Sequence, residues 1–497
     1  MPHYLGIDLG TTGLKAVLAD EAGSIAGIGY REYSLDIPRT GYAEQDPERW
    51  HRAMCRAIAD VLKHTGVPAA DIRCVGLSGQ MHGLVMLNGG NDVLCPAIIH
   101  CDGRAAIEKQ EILARVGIEK MGRWVQNQVH SGFQALSLMW MRRNRPDLYA
   151  QMRHALLPKD YLRYRLTGEI ATEPTDACST LLYDCRNMHW SAELLEAVGV
   201  DASVLPDANH RPYEVAGTVT KRASEDTGLA SGTPVAFGGG DQPMQAVGNG
   251  LLRPGSSSVN LGTSGQVFVA MDEPLYDPLL RTHTFCHAPK GTWYVMGAVL
   301  NACLAFNWFI DNVLKNKDFS GMDAEAGEVP PGARGLLFLP YLTGERTPHM
   351  SERARGAFIG LTLNHGRAEM VRAVLEGVAF SLRDALDVVR SLKPPVGHMV
   401  ISGGGAKSEL WKQIIADVFE LPLYVSSMQE QAALGAILCA QVACGAYASL
   451  DEACAATVRY APSPILPNAR NSALYRESFD LYCEAYRHNI PLFERMW

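Results

Sequence analysis

Although the 497-residue chain has 12 cysteines, it contains no C-x-x-C pair, which removes a zinc knuckle and a dithiol redox motif. Their scattered spacing gives no disulfide framework either, so a reducing, cytoplasmic setting is expected. No run of about 18 apolar residues occurs, and MPHYLGID has no basic stretch ahead of a long apolar one, so neither a membrane span nor a secretion signal is expected. Long basic runs are missing too. With 45 Lys and Arg against 53 Asp and Glu, the net charge is −8, which leaves no electrostatic footprint for nucleic acid. Neither GLSGQ nor GTSGQ matches G-x-S-x-G, so no nucleophile elbow is present, and SGGGAKSE lacks the G-K-[ST] order of a Walker A loop. His283, Cys286 and His287 in HTFCH point to alternating faces of a strand, so no metal site is expected there.

What is present is ordinary in bulk and distinctive in arrangement. Hydrophobic residues at 47% and charged residues at 20% permit a sizeable core. At this length a single core stops growing, and two domains are expected, split near LLRPGSS into 1–250 and 251–497. A repeat agrees with that division. LGIDLGTTGLKAVLAD (5–20) and SVNLGTSGQVFVAMD (258–272) each read as strand, tight turn, strand. Each first strand ends in a short polar side chain, Asp8 or Asn260, before a Gly-Thr-Thr/Ser-Gly turn. Tips built from glycine and small hydroxyl residues let backbone N–H groups approach an anion closely. Two such tips facing each other would clamp a polyphosphate.

Periodicity predicts a strand near 24–33 and a helix over 47–65 started by Asp46 and Pro47, with Trp50, Met54, Ile58, Val61 and Leu62 recurring at helical spacing. A buried strand follows in DIRCVGLSGQMHG (71–83), then a mostly helical insertion over about 94–183. The segment 215–236 returns to strand-like composition and leads into AFGGGDQPMQAVGNG (236–250). In the second half, WYVMGAVL leads toward an apolar helix through Asn307, and a long amphipathic helix spans 368–392. The strand in HMVISGGGAKS (398–408) ends in three glycines, and an Ala-rich helix covers 431–444. VGLSGQ and VISGGG are matching strand-to-loop units, a second echo between the halves. Strands alternating with helices define an α/β architecture with a site at the sheet ends.

Several of these segments carry chemistry. Asp8 at a strand end suits a hard cation while Gly10, Thr11, Thr12 and Lys15 suit phosphate; the alternative is a plain hairpin. In GGGDQ, Asp241 can take a proton from an attacking hydroxyl, or cap a helix beginning near Pro243. Gly403 and Gly404 in SGGGAKSE can pass backbone beneath a flat ring, and His82 in QMHG can offer a ring nitrogen to a sugar hydroxyl or serve structure alone. Glu345 and Arg346 in TGERTPH read equally as cleft residues or as a surface ion pair.

The order IDLGTTG, GLSGQMHG, DGR, LPKDYLRYRLTG, GGGDQ, NLGTSG, FLPYLTGERTPH, GAFIGL, SGGGAKSELWKQIIAD, ALGA resembles the FGGY carbohydrate kinases from about residue 4 to residue 445. That resemblance implies two ribonuclease-H-like domains of the actin-like ATPase type around a central cleft, using ATP and Mg²⁺. It implies Asp241 as catalytic base, and Met81, His82, Asp102, Asp241 and Gln242 at the sugar. It also implies Gly10, Thr11, Thr12, Lys15, Gly262, Thr263, Ser264, Gly403 and Gly404 at the nucleotide, with Asp8 at the metal. D-xylulose is the first expected substrate, with ribulose, a polyol or another small hydroxyl compound as alternatives. An actin-like nucleotide switch is the reading outside enzymes. HCDGR stands where many such kinases have WNDGR, Gln242 where Asn is common and Ser137 where a signature has Lys, which leaves the exact sugar open. A homodimer is left open, and no nucleic acid or membrane partner is expected.

Overall fold

The computed structural model describes residues 2–496. Two mixed sheets dominate it. The first contains β1 (His3–Leu9), β2 (Gly13–Asp20), β3 (Ile25–Glu32), β4 (Ile72–Gly79), β5 (Val215–Thr218) and β6 (Pro234–Ala236) in the order β5-β6-β4-β1-β2-β3, with β7 (Gly239–Gly240) also paired to β4. The second contains β8 (Ser257–Leu261), β9 (Gly265–Met271), β10 (His283–Cys286), β11 (Trp293–Val299), β12 (Met399–Ser402) and β13 (Leu423–Val425) in the order β10-β11-β9-β8-β12-β13. In each sheet an antiparallel hairpin supplies a central strand that then pairs in parallel with a strand from further along the chain.

Local rules account for most elements. Helix α1 (Pro47–Thr65) starts where Asp46 accepts the Glu48 N–H and ends at left-handed Gly66. Helix α2 (Pro158–Thr167) carries the chain's most polar motif inward, with Lys159, Asp160 and Arg163 fully buried. Their charges meet Glu173 and Asp176, two cations against three carboxylates, and burial raises the pKa of Glu173 and Asp176. Helix α3 (Asp241–Gly248) follows β7, α4 (Cys303–Trp308) follows β11, and α5 (Arg367–Ser391) backs the second sheet. Helix α6 (Gln431–Ala443) and the long terminal α7 (Ala469–Met496) complete the frame.

WYVMGAVL is strand β11, because its β-branched and aromatic residues pair along the whole of β9, and the helix expected beyond it, Cys303–Trp308, runs on as a π-helical stretch, Phe309–Leu314. One expectation is corrected. The strand-like segment 215–236 also contains a helix, Lys221–Thr227, capped by Thr220 and closed by Gly228.

Helix α6 belongs to the second half of the sequence yet packs on the first sheet. Gly6 and Gly76 are register partners on β1 and β4, and a Cβ on either would collide with a carbonyl of α6, at Ala433 or Ala436. Gly435 and Gly248 do the same where α6 crosses α3. A split near residue 250 therefore divides the sequence without dividing the packing. No helix among the described residues is long and apolar enough to cross a membrane.

Candidate active site

The two hairpin tips are built alike and braced differently. Asp8 lies opposite Lys15 on β2 and opposite Ser78 on β4. Ser78 Oγ donates to Asp8 Oδ1 at 2.9 Å, so one carboxylate oxygen is fixed and the other is available. Burial raises the Asp8 ionisation above the ordinary carboxylate value, against the pull of Ser78 and Lys15. The Gly10–Gly13 turn is closed by its own backbone and held from outside by Tyr33, whose hydroxyl donates to the Gly10 carbonyl at 2.5 Å, and by Gln45, whose amide donates to the Thr11 carbonyl at 2.7 Å. Thr12 is exposed at the tip.

At the second tip Asn260 lies opposite Gln266 and Ser402. The carbonyls of Gly262 and Thr263 accept N–H groups from Ala302, Cys303 and Leu304 at the start of α4, leaving Thr263 and Ser264 exposed. Gly403, at φ 91°, crosses directly behind Leu261. Beside it opens a cavity of about 480 Å³ with apolar walls from Phe306, Phe319 and Trp411 and a floor of Gly404 and Gly405. A flat aromatic base fits such a slot, next to a turn that fits phosphate.

Asp241 is the first residue of α3, so the capping position falls to Gly240, which rules out the N-cap alternative. Burial, with the charge of Asp8 added, pushes its pKa up to about 7. Gly240 is itself held by Thr175, whose Oγ1 accepts the Gly240 N–H at 3.2 Å, and it packs against Met81. Gln242 is the next residue of α3 and is partly exposed.

His82 has φ 74°, a strained value for a non-glycine residue, and Ser179 holds it there. The His82 N–H donates to Ser179 Oγ at 3.1 Å, and Nδ1 lies 2.8 Å from the Ser179 carbonyl oxygen. A carbonyl only accepts, so Nδ1 carries the hydrogen and Nε2 is left as an acceptor. Burial lowers the His82 pKa to about 3, which keeps the ring neutral. Its face stacks on Phe133 at 4.3 Å.

Around His82 stands a wall that joins Arg346, one of the two residues read as cleft or surface, to histidines the sequence did not group with it. Arg346 Nη2 lies 3.3 Å from His130 Nε2, and the charge of Arg346 acts on His82, His100, His130 and His283 alike. Burial together with that charge holds His100 at about 4 and His130 at about 3. Glu345 does not form a surface pair with Arg346: it is 3% exposed, and its carboxylate accepts the backbone N–H groups of Leu300 and Arg346. Asp8 and Asp241 thus make one acidic group of the site, while Arg346 and neutral imidazoles line the surroundings of His82.

Two expected contacts are revised. Asp102 is not a free sugar ligand: its side chain is fully buried, accepting from the Ala43 N–H and from the backbone and guanidinium of Arg104. It pins two loops together. Lys15 forms an ion pair with Glu430 at 2.5 Å, across to the residue that precedes α6. Ser179, Thr175 and Glu430 escaped the sequence reading because each acts on a residue far away along the chain.

Two sheets that share a five-strand core, β3-β2-β1-β4-β6 and β11-β9-β8-β12-β13, each presenting a glycine-hydroxyl turn beside a charged or amide strand end, define the actin-like ATPase fold and a phosphotransferase site. The models for the N-terminal and C-terminal domains of the FGGY family of carbohydrate kinases match residues 3–248 and 257–444, and the chain belongs to that family. It is therefore a sugar kinase, and kinases of this family use ATP. It is 35% identical over 497 residues to the xylulose kinase of Lactococcus lactis subsp. lactis, covering 99% of this chain and 98% of that one. The ligand-bound xylulose kinase of Lactobacillus acidophilus shares the fold with a TM-score of 0.94 at 28% identity, covering 100% of both chains. A gluconate kinase from the same organism gives 0.93 at 28%, again covering 100% of both.

Proposed function

We propose that the chain transfers the γ-phosphoryl group of ATP to the terminal hydroxyl of D-xylulose, giving D-xylulose 5-phosphate. The observation that carries this reading is Asp241, a partly exposed carboxylate at the start of α3 whose ionisation lies near neutrality because lost solvation and the charge of Asp8 both disfavour its charged form. Such a group is poised to take the hydroxyl proton as oxygen attacks phosphorus. The near-full-length likeness to xylulose kinases supports the choice of sugar.

The base of ATP occupies the slot beside Gly403 and Gly404, and its phosphates extend to the turn at Gly262, Thr263 and Ser264. The turn at Gly10, Thr11 and Thr12 faces the transferred group, and Lys15, paired with Glu430, braces the hairpin behind it. Asp8 fits Mg²⁺, since Ser78 fixes one of its oxygens and a hard cation takes oxygen donors. When bound, the ion neutralises charge on the phosphates. Met81 and His82 hold the sugar, with His82 Nε2 accepting from a hydroxyl, and Gln242 lies beside the base. Arg346 only donates, so a carbonyl oxygen such as that of a ketose is its natural partner. The cytoplasm is the proposed location, and residues 1–250 and 251–497 are the proposed sugar-binding and ATP-binding parts.

A coupled assay of ADP release with D-xylulose, D-ribulose, xylitol and D-gluconate tests the reading. The highest kcat/KM is expected with D-xylulose. A higher value with another compound would reassign the substrate, and ADP release independent of any sugar would overturn the assignment.

A further inference from the structure

Cys286, in the strand sequence HTFCH, has sulfur partners from elsewhere in the chain. Its N–H donates to Cys178 Sγ at 3.3 Å, and its own sulfur lies 3.5 Å from the thioether of Met188. Cys185, directly after the short strand Tyr183–Asp184, completes the group. The three sulfurs all lie within 4.8 Å of one another. Cys178 is 1% exposed, and Cys185 and Cys286 are fully buried. Cys178 and Cys185 come from the first half of the chain and Cys286 from the second, so the cluster sits where the halves meet.

We propose that Cys178, Cys185 and Cys286 form a three-sulfur site for monovalent copper. Thiolates and thioethers are soft donors and select Cu(I) among the common cellular cations. A three-coordinate ion with metal–sulfur bonds of about 2.3 Å holds its sulfurs about 4.0 Å apart, so these need to contract by less than about 1 Å. Charge decides the valence. Bringing a net charge into this sealed site would be costly. A Cu(I) ion that displaces one thiol proton to solvent leaves the cluster neutral: one thiolate and two thiols hold one positive ion. Zn(II) would need two protons displaced and a fourth strong donor, and the fourth sulfur here is only the thioether of Met188 beside Cys286.

Occupancy reaches the sugar pocket through the chain itself. Cys178 precedes Ser179, the residue that fixes both the backbone and the ring of His82. Cys178 also donates to the Thr175 carbonyl, and Thr175 holds Gly240 next to Asp241. Drawing Cys178 toward a shared ion pulls on both supports, so copper weakens sugar binding. This consequence rests on the kinase reading above; the copper site does not.

Anaerobic transfer of Cu(I) from its bicinchoninate complex to the full-length protein, followed by the chelator's absorbance, tests the site. The expected result is one tightly held Cu(I) per chain that is lost in Cys185→Val and in Cys178→Ala and kept in Cys101→Ser. Thermal melts identify any variant that fails to fold, and the other trio variant then decides. No transfer to the wild-type chain, or an equivalent that survives both trio substitutions, overturns the site. A copper-dependent rise in KM for sugar that vanishes in Cys185→Val supports the coupling. Copper held at the trio with KM unchanged overturns the coupling alone.

Discussion

Asp8 and Asn260 occupy the same register position in two sheets, each at the end of a hairpin strand and each opposite a serine, Ser78 or Ser402, on the neighbouring parallel strand. Near-identical shape with different charge means that one turn is equipped for a cation and the other for phosphate alone. Asp8→Asn should turn the first tip into a copy of the second. Half-saturation by Mg²⁺ should rise about 10-fold or more, with kcat reduced, in a magnesium titration at saturating ATP and sugar. An unchanged magnesium dependence would remove Asp8 from the metal.

Asp241→Asn keeps the shape of the side chain and removes its basicity. Turnover should drop by about 10² or more, while nucleotide affinity measured by calorimetry stays near the wild-type value. Near-normal kcat would take Asp241 out of the role of base.

Acidity near neutrality also has a sign. The base must be ionised, so kcat/KM should rise with pH through about 7, and that limb should disappear in Asp241→Asn. Stability runs the other way. Because the folded-state pKa is raised above the unfolded one, Asp241 favours the folded state below the ordinary carboxylate range, and this contribution is lost as pH rises toward 7. Each pH unit between those limits is worth about 1.4 kcal/mol at most, reduced here because Asp241 is partly solvent-exposed. Asp241→Asn should therefore melt above the wild type at pH 8 and close to it at pH 4.

His82→Gln retains an acceptor but loses the ring that Ser179 and Phe133 hold in place. KM for the sugar should rise about 5- to 10-fold, the equivalent of roughly 1 kcal/mol for one misplaced hydrogen bond, with KM for ATP unchanged. Steady-state kinetics with each substrate varied in turn separates the two. An equal rise in both constants would mean general disruption.

Gly403→Ala would place a Cβ 2.5 Å from the Leu261 carbonyl and 2.6 Å from Asn260 Oδ1, at a φ of 91° that alanine adopts only under strain. The second tip must shift to admit it. KM for ATP should rise and the melting temperature should fall, reflecting about 1 kcal/mol or more from backbone conformation alone. Gly327→Ala, at an exposed position where the added Cβ meets nothing within 4 Å, serves as the control.

Features encoded by neighbouring residues were legible in the sequence. Both hairpins, α1 with its Asp46 cap, the 25-residue α5 and the glycine-rich end of β12 follow from periodicity and turn chemistry. The Lys221–Thr227 helix was legible too, since Thr220 and Gly228 bracket it as cap and stop, but alternation of Val and Ala nearby masked it. What escaped was partnership across the fold. Lys15 and Glu430 are 415 residues apart, and His100, His130 and Arg346 come from three separate loops that only the tertiary structure unites. The partner of Asp102 was close but passed over: Arg104, two residues on, already offered a local use for the carboxylate.

The bare glycine floor on β1 and β4 means that the repeated units are not interchangeable modules. A polypeptide ending near residue 250 would fold its first sheet without the helix that covers it, exposing a smooth backbone trough; its complement would present an orphaned α6. Each fragment made separately should aggregate, whereas the two produced together in one cell should find each other and restore turnover, because the lid of the first sheet is carried by the other piece.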